Sequence, residues 1–366
     1  MKTLLLAGPF APEHPGHRST VAAFRAALPG WEHLVTAAGG PVVRPDRLTP
    51  VDPSGPGLRR AIGRSDALVV TGGKPIATPH DGGDASPSLG ALTAASLLAP
   101  RTPVAMVGVG AGPLERRRDR VAASALVRRA DLVVLRDEEA ARQLADDGLP
   151  TPFRVGSDPS WAALGMDRSS ALSGDGILVV PDASSDPESI ADLLTATLML
   201  AATSGVAIRL QPWDGDDVGA EVAVRVAGGL GGSVEILPPP VDLRDARRDM
   251  AAHRVVVSMK FHGLIAAASA GIPCVAVSHD PEVVGLATRL NYRCVTPEAS
   301  PQAIGDVVLS ALRDQSRPSP GAVMEQIHAA REELRLLNLL LARGDVDEDN
   351  SDGLRLAPTP WAPWTR

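Results

Sequence analysis

The chain has 366 residues, a length that suits two domains of ordinary size better than one. Its 36 Lys and Arg residues against 43 Asp and Glu give a formal net charge of −7, and only 3% of the residues are aromatic. This composition excludes a general nucleic-acid binder, which needs a basic face and stacking side chains. Two cysteines cannot build a disulfide framework or a four-thiolate metal site, and they are typical of a reducing cytoplasm.

The first apolar segment predicts a buried strand rather than a secretory leader. The segment stops at Ala7, and Gly8 and Pro9 follow at once. No stretch of the sequence reaches the length of a membrane span. We therefore expect a cytoplasmic protein without a transmembrane segment. Attachment to the inner face of the membrane stays open as an alternative.

Short apolar runs alternate with helix-like segments along most of the chain. Most of these runs are apolar at every position, which is typical of parallel strands covered on both faces by helices. The predicted strands are residues 3–6, 34–36, 67–70, 104–107, 132–135, 177–180, 207–210, 234–237, 255–258, 274–277 and 293–295. The predicted helices include residues 20–28, 89–98, 120–129, 138–146, 187–202 and 261–270. The sequence thus predicts an α/β protein with two doubly wound, Rossmann-like domains.

A polar, turn-rich stretch at residues 167–176 is the predicted linker between the two domains. It separates an N-terminal Rossmann-like domain over residues 1–166 from a C-terminal one over residues 177–316. An amphipathic helix is predicted over residues 320–343, and residues 344–366 have the composition of a flexible tail. Two such domains bind ligands at the carboxyl ends of their strands, in the cleft between them.

The segment that follows the strand at residues 255–258 contains the sharpest chemical signal. Ser258 ends the strand, and Lys260 and His262 follow at the start of a helix of small residues. An imidazole in the first turn of a helix suits proton transfer near neutral pH, and an ammonium group two residues away suits an anion. A histidine packed at a helix start, beside a lysine that extends to solvent, is the alternative interpretation.

Two glycine-rich turns follow other predicted strands. The first contains Gly72 and Gly73, and the second contains Gly108, Gly110 and Gly112 in a Gly-x-Gly-x-Gly-Pro pattern. Backbone N–H groups in such loops can bind a phosphate, while tight-turn packing alone also explains the glycines. The spacing differs from the dinucleotide-binding fingerprint.

Arg136 directly follows the strand at residues 132–135 and is the best candidate for a forked contact with an anionic substrate. A salt bridge to Asp137 or Glu139 is the alternative role for this side chain. The eight histidines lie at no spacing that predicts a zinc site. The sequence therefore predicts neither a metal nor an organic cofactor.

Taken in order, these segments resemble the polysaccharide pyruvyltransferase family. Lys260-Phe261-His262 is similar to the family's Arg-x-His element, and the second glycine turn is similar to its glycine-rich loop. Arg136 and Asp137 match the start of an Arg-Asp-x-x-Ser segment. The similar patches lie at residues 66–74, 108–114, 135–144, 155–159, 260–273 and 279–283.

The resemblance implies two Rossmann-like domains of the glycosyltransferase-B type. It also implies transfer of pyruvate from phosphoenolpyruvate to two hydroxyls of a sugar, as a ketal, in the biosynthesis of a cell-envelope polysaccharide or glycoconjugate. The partners would be phosphoenolpyruvate and a sugar or glycan acceptor, and a homo-oligomer stays open. His262 would be the acid–base residue, with Arg136 and Lys260 binding the donor. Ser258 and the two glycine turns would complete the substrate site.

Four departures from the family pattern concern the donor site, and one of them is His279 in place of an aromatic tyrosine. Lys260 replaces an arginine, which removes forked recognition of a carboxylate. Glu282 stands where the family often has a lysine, so the charge is reversed. The first loop lacks the family's Asn-x-Gly-Asp element. Its His14 and His17 could contribute to the site, although exposed loop histidines usually have no function.

Two other functions stay open. A glycosyltransferase on the same fold would bind a nucleotide sugar, and Glu325 and Glu333 have the spacing that some such enzymes use. Both lie in the predicted terminal helix, where we expect an exposed, charged face. A non-catalytic scaffold that binds a partner or a glycan is the second alternative, because one architecture hosts many chemistries.

Overall fold

The computed structural model describes residues 1–11, 13–37, 49–78, 87–149, 153–166, 174–182, 186–203, 205–213, 217–231, 234–314 and 316–343. The tail at residues 344–366 and most of the predicted linker at residues 167–176 lie outside these described residues.

The strands form two sheets in which all pairings are parallel. The first has the order β3-β2-β1-β4-β5-β6-β7 and the second the order β10-β9-β8-β11-β12-β13. The first sheet contains β1 (Thr3–Phe10), β2 (Glu32–Ala37), β3 (Thr49–Val51), β4 (Ala67–Thr71), β5 (Val104–Val109), β6 (Leu132–Leu135) and β7 (Arg154–Val155). The second contains β8 (Ile177–Val180), β9 (Ile208–Leu210), β10 (Val234–Ile236), β11 (Val255–Ser258), β12 (Cys274–Val277) and β13 (Arg293–Val295).

Helices alternate with these strands along the chain. They are α1 (Pro15–Ala27), α2 (Gly55–Ile62), α3 (Leu89–Leu98), α4 (Arg117–Arg129), α5 (Glu138–Asp146), α6 (Ser160–Ala163), α7 (Pro187–Thr203), α8 (Asp217–Gly229), α9 (Leu243–Ala251), α10 (Phe261–Ala270), α11 (Pro281–Arg289), α12 (Pro301–Asp314) and α13 (Pro320–Arg343). None of the helices in the described part of the chain is long and apolar enough to cross a membrane.

Each sheet has a hydrophobic core on both of its faces. In β4, Leu68 and Val70 belong to one buried cluster, whereas Ala67 and Val69 belong to another. Residues of a strand alternate between faces, so a strand buried at every position must be covered on both sides. All eleven predicted strands are present, and the predicted α/β class with two doubly wound units is confirmed.

Two observed strands, β3 and β7, were not predicted from the sequence. Both lie at an edge of the first sheet and are only three and two residues long. Their residues are mostly exposed, so no continuous apolar run marks them. A strand of this kind forms because a neighbouring strand offers unpaired backbone groups, which is information outside its own sequence.

The start of α1 also differs from the prediction. The helix begins at Pro15, five residues before the predicted start, because His14 caps it with its own side chain. A proline at the first helical position fits the same start, since its missing N–H has no partner there. His17 therefore lies in the first turn of a helix, and not in the loop where the sequence predicted it.

The last helix, α13, joins the two halves of the molecule. Val323 and Ile327 in its first half are buried in a core cluster of the second sheet. Leu337 and Leu341 in its second half are buried in a cluster of the first sheet. A helix whose two ends are buried in different cores holds those cores in a fixed relation.

The order of strands gives each sheet one point where the winding reverses. In the first sheet it lies between β1 and β4, and in the second between β8 and β11. Ligands of doubly wound sheets bind at this point, beyond the carboxyl ends of the strands. A ligand would therefore contact the segments that follow these four strands.

Candidate active site

The turn between β11 and α10 is held by Ser258. Its hydroxyl donates to the backbone oxygen of Lys260 at 3.0 Å and accepts the backbone N–H of Lys260 at 3.1 Å. Ser258 is fully buried, and a Cβ at Gly263 would overlap its hydroxyl. The sequence predicted Ser258 as a substrate-binding residue. In the structure its hydroxyl forms hydrogen bonds that stabilise the turn.

This turn places His262 in the first turn of α10, with 9% of its surface exposed. Its Nε2 atom lies 3.6 Å from Oδ2 of Asp158, which follows β7 in the other half of the molecule. Gly16 of α1 packs on the imidazole ring so closely that a Cβ there would overlap the ring. His262 is therefore positioned by residues from both halves.

Asp158 is a buried carboxylate, 2% exposed, and its Oδ1 accepts the backbone N–H of Ser160 at 2.9 Å. Burial alone would raise the pKa of Asp158, but His262 and Arg136 outweigh it and lower the pKa below its usual range. Asp158 is thus a fixed negative charge beside His262. Its patch resembled the family, but sequence reasoning gave Asp158 no role, since its partner is 104 positions away in the chain.

Two more imidazoles lie beside His262, and together His14, His17 and His262 form the imidazole cluster. The ring centroids are 4.3 Å apart for His14 and His17, 5.2 Å for His14 and His262, and 6.0 Å for His17 and His262. The sequence predicted exposed loop residues for His14 and His17. That expectation is wrong, because both are half-buried at the start of α1.

The surroundings of these two histidines disfavour a positive charge on them. Burial lowers the pKa of His14 well below its usual value, with His17, His262 and Lys260 acting in the same direction. Burial also lowers the pKa of His17 to about 3, again with His262 contributing. Both rings are therefore uncharged at neutral pH.

Arg136 lies at the end of β6 and is only 4% exposed. Its guanidinium contacts Oδ2 of Asp137 at 3.4 Å and Oδ2 of Asp158 at 3.9 Å, and it forms an ion pair with Glu282. It also lies 4.3 Å from the centroid of the Phe261 ring. The sequence left two roles open for Arg136, a forked contact with the donor and a salt bridge to Asp137 or Glu139. The structure shows the contact with Asp137 and adds two further carboxyl groups around the guanidinium.

Glu282 comes from the first turn of α11 in the second half of the molecule, and it is 6% exposed. Burial raises the pKa of Glu282, while Arg136 and Lys74 oppose this shift and favour the carboxylate. The glutamate that reverses the family's charge therefore serves as the counter-ion of Arg136. We call Arg136, Asp137, Asp158 and Glu282 the buried charge cluster.

The two glycine turns pack around this cluster. A Cβ at Gly110 would overlap the side chains of Arg136 and Glu282. The N–H of Gly110 donates to the backbone oxygen of Gly73 at 2.9 Å, and the N–H of Gly112 donates to that of Ile76 at 2.8 Å. These two N–H groups, which the sequence allowed to bind a phosphate or to form a tight turn, donate to backbone oxygens of the protein.

The remaining glycines of these turns are required by backbone geometry. Gly72, Gly73 and Gly108 have φ angles of 72°, 53° and 62°, in the left-handed region that favours glycine. A Cβ at Gly73 would also overlap Pro9, and one at Gly108 would overlap Pro159. The glycines keep the turns tight and allow the two loops to approach their neighbours.

Lys260 and Lys74 also contact carboxylates. Nζ of Lys260 lies 2.9 Å from Oδ1 of Asp182, which follows β8 across the reversal point of the second sheet. Nζ of Lys74 lies 2.9 Å from Oδ2 of Asp280 and 3.6 Å from Oε2 of Glu282. The ion pairs of Lys74 join the first half of the molecule to the second.

Glu325 and Glu333 differ in burial, although the sequence predicted one exposed face for both. Glu325 is exposed, whereas Glu333 is 1% exposed and packs against Gly156, close to Asp158. Burial and the charge of Asp158 raise the pKa of Glu333 well above its usual value, and the N–H of Ser157 offsets only part of this. The expectation is correct for Glu325 and wrong for Glu333, because α13 buries this face against the first half.

Among the described residues, no group of three or more His, Cys, Asp or Glu side chains has the arrangement of a metal site. Burial raises the pKa of Cys274, and also that of the half-buried Cys294, so neither thiol is activated as a nucleophile.

The comparisons with known proteins agree with this architecture. The model of the family described as polysaccharide pyruvyl transferase matches residues 26–281. No curated protein sequence matches the chain.

Solved structures with the same fold include UDP-GlcNAc 2-epimerase from Methanocaldococcus jannaschii, with a TM-score of 0.62 and 12% identity over 93% of this chain and 100% of that one. MurG from Acinetobacter baumannii gives a TM-score of 0.55 and 13% identity over 92% and 99% of the two chains. A glycosyltransferase from Rickettsia africae gives 0.57 and 12% over 94% and 96%. At these identities the likeness establishes the fold, which is of the glycosyltransferase-B type.

Proposed function

Because this chain belongs to the polysaccharide pyruvyl transferase family, we propose that it transfers a pyruvyl group from phosphoenolpyruvate to two hydroxyl groups of one sugar, forming a ketal. The acceptor would be a polysaccharide or a glycoconjugate. The observation that carries the proposal is the pair formed by His262 and the buried Asp158 at the reversal point of the second sheet. No cofactor is needed, since the enol phosphate itself is the activated group.

The proposed reaction moves two protons and breaks one bond to phosphate. The first sugar hydroxyl adds to C2 of the enol, while C3 gains a proton and becomes a methyl group. The second hydroxyl then adds to C2 as the bond between C2 and the phosphate oxygen breaks, and its proton leaves with the phosphate. The products are one pyruvate ketal and one inorganic phosphate.

His262 is suited to the first of these proton transfers. Its imidazole would accept the proton of the attacking hydroxyl and deliver a proton to C3. The carboxylate of Asp158, 3.6 Å from Nε2, would stabilise the imidazolium that forms between these events. Gly16 and Phe261 limit the movement of the ring, because both pack directly against it.

Arg136 has a positioning role in this proposal rather than direct contact with the donor. Its guanidinium holds Asp158 and Glu282 in place and is itself almost inaccessible. The donor's anionic groups would instead meet the first-turn amides of α10, whose N-cap residue Lys260 makes no side-chain cap. Lys260 lies at the same helix start and would add a positive charge.

The experiment is an incubation of the protein with phosphoenolpyruvate and a panel of glycans that carry neighbouring free hydroxyls. We expect release of inorganic phosphate together with a glycan product whose mass increases by that of pyruvic acid minus water. UDP-GlcNAc is tested in parallel, since the related structures include an epimerase in complex with this nucleotide sugar.

Binding measurements make the test decisive when the acceptor is missing from the panel. Titration calorimetry with phosphoenolpyruvate should show saturable binding that exceeds the binding of inorganic phosphate. Binding of UDP-GlcNAc without binding of phosphoenolpyruvate would refute the proposal and support the glycosyltransferase. Binding of neither donor, at any concentration tested, would refute both and support the scaffold.

A further inference from the structure

Two polar side chains interrupt the apolar face with which α13 packs on the rest of the molecule. The apolar residues of this face are Val323, Ile327, Ala330, Leu334, Leu337 and Leu341. Gln326 and Glu333 are buried on the same face, about two helical turns apart. The proposed reaction uses neither of them.

Both side chains face the loop at residues 156–158, between β7 and α6. The hydroxyl of Ser157 donates to Oε1 of Gln326 at 2.8 Å. The carboxyl group of Glu333 packs on Gly156 so closely that a Cβ there would overlap its Oε2 atom. The third residue of the loop is Asp158, the partner of His262. Helix α13 therefore contacts, at two points, the loop that carries Asp158.

The sheet gives this loop little support. Strand β7 has two residues, both exposed, and it lies at the edge of the first sheet. The N–H of Gly156 donates to the backbone oxygen of Leu135 at 2.8 Å, and beyond this bond the chain leaves the sheet. A side chain in such a loop keeps its place when other side chains pack against the loop. The position of Asp158 thus depends on α13.

Packing alone does not explain a glutamate at position 333. No described residue forms a hydrogen bond of ordinary geometry with either of its carboxyl oxygens, although the N–H of Ser157 favours charge there. A buried polar group without a hydrogen bond lowers stability, whereas leucines fill the neighbouring positions 334 and 337. Residues that break a local rule of stability are expected at functional sites.

Glu333 and Asp158 are neighbouring buried carboxyl groups with unequal surroundings. Asp158 accepts the N–H of Ser160 at 2.9 Å and contacts both His262 and Arg136. Glu333 contacts no cation among the described residues, and the charge of Asp158 disfavours a second negative charge beside it. Because two adjacent carboxyl groups rarely ionise together, the charge stays on Asp158 and the proton on Glu333.

We propose that Glu333 is a positioning residue for the pair formed by Asp158 and His262, because it fixes the loop that carries Asp158. It does so as an uncharged carboxylic acid, so that Asp158 carries the charge beside His262. Glu333 is 1% exposed and therefore acts through Asp158 rather than on a substrate. The inference rests on the proposed function only for the reaction in which His262 acts.

The first test needs no ligand and follows the ring signals of His262 by NMR in the full chain. His262→Gln assigns these signals. Glu333→Leu replaces the carboxyl group by an apolar group of similar volume, whereas Glu333→Gln keeps its shape and polar atoms. We expect Glu333→Leu to shift the signals of His262, because the loop of Asp158 relaxes, and Glu333→Gln to leave them in place.

His328 is the internal control, because it is exposed on α13 itself. Its signals should stay unchanged in both variants, which separates an effect on the loop from a general distortion of the helix. Unchanged signals of His262 in Glu333→Leu would overturn the proposal. Equal shifts of His262 in both variants would also overturn it.

The second test determines the charge of Glu333 by infrared difference spectroscopy of the wild type against Glu333→Gln. At about pH 6, where an exposed glutamate is ionised, we expect the variant to lose the band of a protonated carboxyl group. Glu325→Gln is the control, because Glu325 is exposed on the same helix and should lose a carboxylate band. Loss of a carboxylate band in Glu333→Gln would overturn the proposed uncharged state.

The third test compares turnover with stability. Because a small displacement of catalytic groups is costly, we expect Glu333→Leu to lower kcat for phosphate release about tenfold or more. Its KM for phosphoenolpyruvate and the kcat of Glu333→Gln should stay within about threefold of the wild type. Glu333→Leu should nevertheless unfold at the same urea concentration as the wild type or at a higher one. Joint loss of turnover and stability would make Glu333 structural and overturn the proposal.

The outcomes separate this inference from the proposed function. Shifted signals of His262 in Glu333→Leu alone, in a protein that does not bind phosphoenolpyruvate, would refute the pyruvyl donor and support the positioning role. Turnover of phosphoenolpyruvate with wild-type kcat and unchanged His262 signals in Glu333→Leu would support the donor and overturn the positioning role. Absence of both effects would overturn both.

Discussion

The buried charge cluster and the imidazole cluster lie side by side in the cleft and differ in almost every physical respect. The first consists of one guanidinium in contact with three carboxyl groups, all nearly inaccessible. In the second, His14 and His17 are half-buried and uncharged, and each has one ring nitrogen engaged by the backbone. The two clusters meet where Asp158 contacts His262.

This difference separates residues that stabilise the fold from residues that are available for activity. Buried charges are tolerated only when they are paired, so the buried charge cluster fixes the geometry of the two halves and is inaccessible to a ligand. Uncharged rings cost less to leave partly exposed than charged groups do to bury. We therefore expect changes in the buried charge cluster to affect folding first, and changes in the imidazole cluster, which contains His262, to affect activity first.

The largest effect is expected when the imidazole of His262 is removed. His262→Ala should lower turnover about 10²- to 10⁴-fold, because general acid–base catalysis contributes that much. Turnover is measured as phosphate release from phosphoenolpyruvate with a productive glycan, and His262→Gln tests the loss of proton transfer with less change in packing. Retention of most activity in both variants would contradict the assignment. If His262→Ala lost more stability than Arg136→Met, the role of His262 would be mainly structural.

The second largest effect is expected on the stability of the protein, when the cation of the buried charge cluster is removed. Arg136→Met leaves three buried carboxylates without their shared cation, which costs about 3–5 kcal/mol of the free energy of unfolding. The control is Arg142→Met, which removes an exposed ion pair with Glu139 and should cost about 0–1 kcal/mol. Urea unfolding followed by circular dichroism measures both variants. Equal small losses in the two would show that the cluster around Arg136 is not structural.

The smallest effect is expected for Glu333, a buried carboxyl group close to Asp158 whose pKa is raised in the folded protein. Because the pKa of Glu333 is higher in the folded state, its contribution to stability is present below the pKa of the unfolded chain and decreases as the pH rises. Glu333→Gln should therefore be more favourable relative to the wild type at pH 8 than at pH 4. Denaturant titrations at both pH values measure the difference.

The control for that prediction lies on the same helix. Glu325 is exposed, and Glu325→Gln should change stability by about 0.5 kcal/mol or less at either pH. A Glu333→Gln variant whose stability relative to the wild type is lower at pH 8 than at pH 4 would contradict the raised pKa of this carboxyl group.

Much of the architecture was predictable because its signals are local. The central strands are short and apolar at every position, and longer helix-forming segments separate them, so neither needs information from distant residues. The edge strands Thr49–Val51 and Arg154–Val155 have no such pattern and depend on the strands beside them. The early start of α1 depends on a cap formed by His14, a residue type that is uncommon at that position.

The candidate site was predictable only in part, for the same reason. The sequence by itself determined the parallel sheets, and it placed His262, Lys260 and Arg136 at the ends of strands, because strand and helix periods are properties of neighbouring residues. Only the tertiary structure decided that Asp158 contacts His262, that Glu282 and two aspartates surround Arg136, and that His14 and His17 lie beside the catalytic candidate. Each of these contacts joins residues far apart in the chain, and burial and charge pairing exist only once the two halves are packed together.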